Sequence, residues 1–136
     1  MSAPSRGHLV YHGRTVLLKY HRLLSGAHPH PPNSVAALRR VLADGAEVVE
    51  FDIGLTRDAR FVLIHDPALE RETSGRGALH GVTEAEFRAL RLRDSDEPTA
   101  TLAEVAGKDW TPKLEAAWTE AYGAIAGLMK QGAAAA

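Results

Sequence analysis

Apolar residues along this chain gather first in short runs and later at helical spacing. Residues 8–12 and 15–21 read as two short strands around Gly13-Arg14, and Val16, Leu17 and Leu18 form a run of the kind that a strand buried on both faces shows. A loop over 25–32, dense in Gly, His and Pro, follows. Asn33 or Ser34 then caps a helix whose apolar positions Val35, Leu38, Val41 and Leu42 keep helical spacing, while Arg39, Arg40 and Asp44 stay outward. Gly45 suits the left-handed residue that closes it.

Strand character returns at 48–53 and 61–65, rich in β-branched and aromatic side chains. Their connection is too short for a parallel crossover, so the two are expected to pair antiparallel. A turn centred on Asp58-Ala59 places Asp52 opposite His65, with Glu50 two residues away on the same face, although Gly is the easier residue where Ala59 stands. Further on, Thr83 with Glu86 and Thr101 with Glu104 match capping boxes that open short helices. Thr111-Pro112 starts a last helix, in which Leu114, Trp118, Ala121, Ile125 and Leu128 mark one face as far as Lys130, with 133–136 expected to fray.

The 136 residues are 45% hydrophobic and 24% charged, with 16 basic against 17 acidic side chains, the balance of a globular domain. No basic run is present to neutralise successive phosphates, so nucleic acid is not an expected partner. The absence of Cys removes disulfides, iron–sulfur clusters and cysteine nucleophiles, leaves oxygen and imidazole as metal ligands, and fits a cytoplasmic location. Residues 1–7 are polar and no long apolar run follows, so neither a signal peptide nor a transmembrane segment is expected. All 12 Arg lie at or before Arg93, whereas Lys108, Lys113, Lys130 and an Ala-rich run follow Gly107. That shift divides the chain into residues 1–106 and 107–136.

Three short elements can carry chemistry. Glu50 and Asp52, two apart on a strand, project from one face, where like charges repel unless a cation lies between them; a hard divalent ion satisfies both. His65-Asp66 and His21-Arg22 each end an apolar strand. Imidazole suits proton transfer near neutral pH, and guanidinium is a planar fork for phosphate. Each element alone has a bland reading, a solvent-facing carboxylate or a strand-end His with one structural hydrogen bond. Together they make up the set that phosphodiester cleavage uses.

In the order His21-Arg22, Pro32-Asn33-Ser34, Glu50-Phe51-Asp52, Thr56-Arg57-Asp58, His65-Asp66-Pro67, Glu70 to Gly77 and Thr101 to Val105, the sequence resembles the glycerophosphodiester phosphodiesterase family over about Leu9 to Ala106. The resemblance implies a TIM-barrel fold and cleavage of a glycerophosphodiester into glycerol 3-phosphate and an alcohol with Ca²⁺ or Mg²⁺. It also implies His21 and His65 as the general acid/base pair, Arg22 as a phosphate contact, and Glu50 and Asp52 as metal ligands. Because a (β/α)₈ barrel takes about 250 residues, the expected fold is α/β, a partial, incomplete TIM-barrel-like domain with few strands and a C-terminal amphipathic helix. The family's His-Arg-Gly is His21-Arg22-Leu23 here, which puts a side chain where the backbone wants Gly. Its Pro-Glu-Asn acid is Pro32, and its third acidic ligand, from a later strand, has no counterpart. Residues 109–123 resemble instead the last helix of bacterial globins, without a His for haem.

The expected function is metal-dependent hydrolysis of a small-molecule phosphodiester. The alternative is a catalytically inactive, truncated or recombined fragment that binds an anion or metal or serves as an interaction module. His28-Pro29-His30, His12-Gly13 and Lys19 are lesser candidates for metal or phosphate contact. Part of a barrel leaves strand edges and apolar faces open, which predicts self-association as a homo-oligomer or cover by the helix over 114–128.

Overall fold

His12 and Gly13 both adopt positive φ, 47° and 74°, as the two-residue turn of a tight hairpin requires. They join β1 (His8–Tyr11) to β2 (Arg14–Leu17) in an antiparallel register that runs from Tyr11↔Arg14 to His8↔Leu17. The turn is thus His12-Gly13, one residue before the expected Gly13-Arg14. Val16 and Leu17 are 47% and 51% exposed, so the apolar run is not that of a strand buried on both faces. The computed structural model describes residues 7–24 and 29–135, so that residues 25–28 of the 25–32 loop, His28 among them, lie outside the described residues.

A parallel pair comes next. β3 (Lys19–Tyr20) lies beside β4 (Val48–Val49), with Lys19↔Val48 and Tyr20↔Val49, and α1 (Val35–Ala43) makes the crossover. Ser34 is the cap: its Oγ accepts the Ala37 N–H at 3.0 Å. At the other end Gly45 (φ 86°) donates to Leu42 O and Ala46 donates to Val41 O, at 3.0 and 2.9 Å, which satisfies the last carbonyls.

The stretch 48–53 is not one strand. After β4 the chain changes partner, and β5 (Ile53–Leu55) pairs antiparallel with β6 (Phe61–Leu63) through Ile53↔Leu63, Gly54↔Val62 and Leu55↔Phe61. Ile64 N–H continues the ladder to Asp52 O at 3.1 Å, so Asp52 faces Ile64 and not His65. The one-residue slip comes from the loop: Thr56 N–H donates to Arg60 O at 3.1 Å, so Arg57, Asp58 and Ala59 form a three-residue connection. Ala59 takes the left-handed position (φ 57°) that ends such loops.

The core gathers Val62, Ile64, Leu69, Leu79 and Phe87, with Val82 and Leu90 packed against it. Gly54 is required there, because a Cβ would stand 2.4 Å from Leu79 Cδ2. α2 (Leu69–Glu72) and α3 (Glu84–Arg88) supply Leu69 and Phe87; α3 has the full capping box of Thr83 and Glu86. α4 (Leu102–Ala106) repeats the device, with Thr101 N–H to Glu104 at 2.8 Å and Glu104 N–H to Thr101 at 3.1 Å.

Two compact units result, Met1–Val105 and Ala106–Ala136. In the second, α5 (Pro112–Ala135) starts where Thr111 Oγ1 accepts the Leu114 N–H at 3.2 Å. It continues through the expected frayed end, since Ala is the strongest helix former. Among the described residues the strands form three two-stranded sheets, and no barrel closes.

Candidate active site

His21 and Arg22 follow β3 directly, in a sharp bend where Arg22 (φ 53°) and Leu23 (φ 63°) both take left-handed backbone. That conformation costs about 1–2 kcal/mol per non-glycine residue. Three backbone anchors hold it: Leu23 N–H to Glu50 O at 3.0 Å, Arg22 N–H to Glu50 Oε2 at 3.3 Å, and Asn33 N–H to Arg22 O at 2.9 Å. Leu23 itself is fully buried, and its packing offsets the strain of a residue placed where Gly was expected.

The bend faces the residues at which the chain changes sheet partner. His21 Nε2 lies 3.5 Å from Glu50 Oε2, and Arg22 Nε lies 3.6 Å from Asp52 Oδ2. The second contact is an ion pair without a hydrogen bond, since Arg22 Nε is buried and has no hydrogen-bond partner. Asn33 supplies what the guanidinium does not: its Nδ2 donates to Asp52 Oδ2 at 3.0 Å, and its Oδ1 accepts the Asp52 N–H at 3.2 Å. Asn33 is 1% exposed and holds φ 56°, a conformation Asn tolerates. The sequence offered it as an alternative cap and as a member of the Pro32-Asn33-Ser34 element, without a contact to Asp52.

His65 is at the end of β6, one strand over, with its side chain exposed. Its position is set through its backbone. The Glu72 carboxylate accepts the His65 N–H at 3.1 and 3.2 Å and also the Asp66 N–H, while Asp66 Oδ1 accepts the Ala68 N–H at 2.8 Å. In the sequence Glu72 stands only within the Glu70 to Gly77 element, because a carboxylate reaching back to a strand end leaves no periodic signal of its own. The geometry therefore brings His21, Arg22, Glu50 and Asp52 into one set of contacts, while His65 takes no part in those contacts. His12 and Lys19 are exposed, His12 in the hairpin turn and Lys19 on β3.

Among the described residues no group of three or more His, Asp or Glu gathers, so no all-protein metal cage is present. Glu50 Oε2 and Asp52 Oδ2 are occupied as above, whereas Glu50 Oε1 and Asp52 Oδ1 make no hydrogen bond among the described residues. Two open carboxylate oxygens beside an orphaned guanidinium N–H suit an ion of the Mg²⁺ type. Such an ion binds through one or two carboxylates and completes its shell with water and substrate phosphate.

The profile of the "Glycerophosphoryl diester phosphodiesterase family" matches residues 21–122. The chain belongs to this family. Over 87 residues it is 40% identical to human glycerophosphodiester phosphodiesterase 1, a match that covers 58% of this chain and 26% of the relative. A glycerophosphodiester phosphodiesterase of Caldanaerobacter subterraneus is 38% identical over 60 residues, 44% of this chain and 25% of that one. The chain thus spans about a quarter of the length of the curated relatives it matches.

Among solved structures, a glycerophosphoryl diester phosphodiesterase from Parabacteroides distasonis superimposes with a TM-score of 0.58 at 29% identity, over 76% of this chain and 35% of that one. An Oleispira antarctica phosphodiesterase in complex with the product sn-glycerol-3-phosphate gives 0.56 at 29% identity, over 63% and 36%. The fold is accordingly a part of the family's architecture. Among the described residues no helix is long and apolar enough to cross a membrane.

Proposed function

We propose that this chain carries the phosphate-binding part of a site that hydrolyses glycerophosphodiesters to glycerol 3-phosphate and an alcohol. The observation that carries the reading is the buried Arg22 Nε, left without a hydrogen-bond partner beside two carboxylates that each keep an open oxygen. A buried donor without an acceptor costs about 1–3 kcal/mol, and a phosphoryl oxygen relieves that cost. Glu50 and Asp52 hold the divalent ion, Ca²⁺ or Mg²⁺, which when bound neutralises charge on the phosphoryl oxygens. Arg22 fixes the phosphate, and Asn33 keeps the Asp52 carboxylate aimed. Of His21 and His65, one removes the proton from the attacking glycerol hydroxyl and the other protonates the leaving alkoxide, which departs as the alcohol; the cyclic phosphate so formed is then opened by water to glycerol 3-phosphate.

The test is release of glycerol 3-phosphate from a simple glycerophosphodiester. His21→Ala and His65→Ala are each expected to lower kcat by about 10²–10⁴-fold, and unchanged turnover in either variant overturns the assignment.

A second reading is favoured by one observation, that only two carboxylates meet among the described residues. It makes the chain an anion- or metal-binding module without turnover. Titration with Mg²⁺ and Ca²⁺ separates the two: binding without product release selects the module. We further propose that residues 1–106 hold the site and 107–136 form a separate helix and tail, and that the chain self-associates. Exposed Leu9, Val10 and Tyr11 on the β1–β2 hairpin support self-association. A cytoplasmic location rests on the absence of Cys.

A further inference from the structure

A cleft of about 240 Å³ opens between Pro31-Pro32 and the segments that carry Arg71, Glu72 and Arg93. The two segments are tied by the Thr73↔Leu92 bridge and by Arg93 N–H to Glu72 O at 2.8 Å. Both walls continue into the site. Pro32 precedes Asn33, which holds Asp52, and Glu72 holds the backbone of His65. A volume near 240 Å³ has room for about eight atoms at roughly 30 Å³ per water-sized unit.

The basic groups of this cleft are only weakly committed: Arg93 Nη1 reaches the Arg71 carbonyl at 3.5 Å, the outer limit of a hydrogen bond. Arg71 has no ion-pair partner among the described residues. Arg93 meets Asp94 at 3.7 Å in a pair whose side chains are 60% and 91% exposed, an arrangement of little worth in water. The Glu72 carboxylate is already turned to two backbone N–H groups. The lining also holds two carboxylates, but Glu72 is turned to the backbone and Asp94 is 91% exposed, so the two guanidinium forks beside Pro31, Pro32 and Leu92 are the groups left to meet a small ligand ending in an anion.

We propose that this cleft takes the alcohol portion of the diester and selects alcohols bearing an anionic group, carboxylate or phosphate, through Arg71 and Arg93. The inference rests on the diester reading above, which puts the phosphate at Arg22.

The test is a ¹⁵N NMR titration of the whole chain with glycerol 3-phosphate, glycerophosphocholine and glycerophosphoserine. The amides of Arg22 and Asp52 report the phosphate site, and those of Glu72 and Arg93 report the cleft. Expected is that all three compounds shift the first pair, that only glycerophosphoserine shifts the second, and that Arg71→Ala with Arg93→Ala weakens glycerophosphoserine by about tenfold or more, the loss of one charge-assisted contact. Binding of glycerophosphocholine by the double variant is expected to change less than about twofold. Glycerophosphoserine shifting Arg22 and Asp52 without the cleft, or glycerophosphocholine shifting the cleft equally, overturns the inference and leaves the diester reading standing. Silence at both pairs overturns both.

Discussion

Asn33 and Asp52 close a two-point ring, Nδ2 to Oδ2 at 3.0 Å in one direction and Asp52 N–H to Oδ1 at 3.2 Å in the other. The ring joins the residue before the α1 cap to the segment where the chain changes from its parallel to its antiparallel partner. Because Asn33 is buried, Asn33→Ala strands an N–H and a carboxylate oxygen together. The expected cost is about 2–4 kcal/mol of folding stability, read as a lower urea midpoint with an unchanged slope.

Leu23 permits a measurement of backbone strain. Leu23→Ala removes a fully buried side chain and is expected to cost about 2–5 kcal/mol, while the positive φ remains. Leu23→Gly removes the same side chain and also the left-handed penalty, so it is expected to be the milder change by about 0.5–1 kcal/mol. Equal or reversed urea midpoints would show that the bend stores no strain.

The hairpin loop offers the same measurement in the open. Ala59 is exposed at φ 57°, with no packing to lose. Ala59→Gly is expected to raise stability by about 0.5 kcal/mol, the relieved penalty less the added freedom of the unfolded chain. A thermal melt of the variant that falls below the parent would contradict the three-residue loop.

Two exposed carboxylates set an acid limit. The Thr56 hydroxyl, and after it the Glu84 N–H, holds the Asp58 carboxyl below its ordinary range; the Thr83 N–H and hydroxyl do the same for Glu86. Both groups are bound less tightly by protons in the folded chain, so their contribution is complete above the unfolded carboxylate range and is lost as pH falls through the depressed folded values. The urea midpoint is therefore expected to drop below about pH 4, and Asp58→Asn to flatten that acid slope. An unchanged slope in the variant would sink the link between the hairpin loop and the start of α3.

Local signals were readable where one residue type answers one backbone need. Ser34 as a cap, Gly45 as the left-handed closure, and the paired Thr and Glu of α3 and α4 all follow from orphaned helix-end groups. Register was not readable. Asp58-Ala59 looks like a two-residue turn, and only the Thr56–Arg60 pairing shows that Arg57 belongs to the loop, which turns Asp52 away from His65. Nor does hydrophobic pattern mark a strand that changes partner, because Val48 to Ile53 keeps its β-branched content straight through the break. The carboxylate pair and His21-Arg22 were legible as types at spacings, whereas the contacts of Asn33 and Glu72 depend on tertiary approach.

Glu72 fixes His65 without touching its ring, which separates positioning from chemistry. Its carboxylate accepts the N–H groups of both His65 and Asp66, so Glu72→Ala frees two donors at the strand end and lets the imidazole drift. A displacement near 1 Å costs about 10²-fold in rate. Glu72→Ala is therefore expected to lower kcat by that order with KM nearly constant, whereas Glu72→Gln, which keeps one acceptor oxygen, recovers a large part. Hydrogen exchange gives a readout independent of turnover: the His65 and Asp66 amides are expected to lose protection in Glu72→Ala while the Ile53↔Leu63 ladder keeps it. Retained protection at His65 would mean that the clamp does not hold the strand end, and any loss of rate would then have to come from elsewhere.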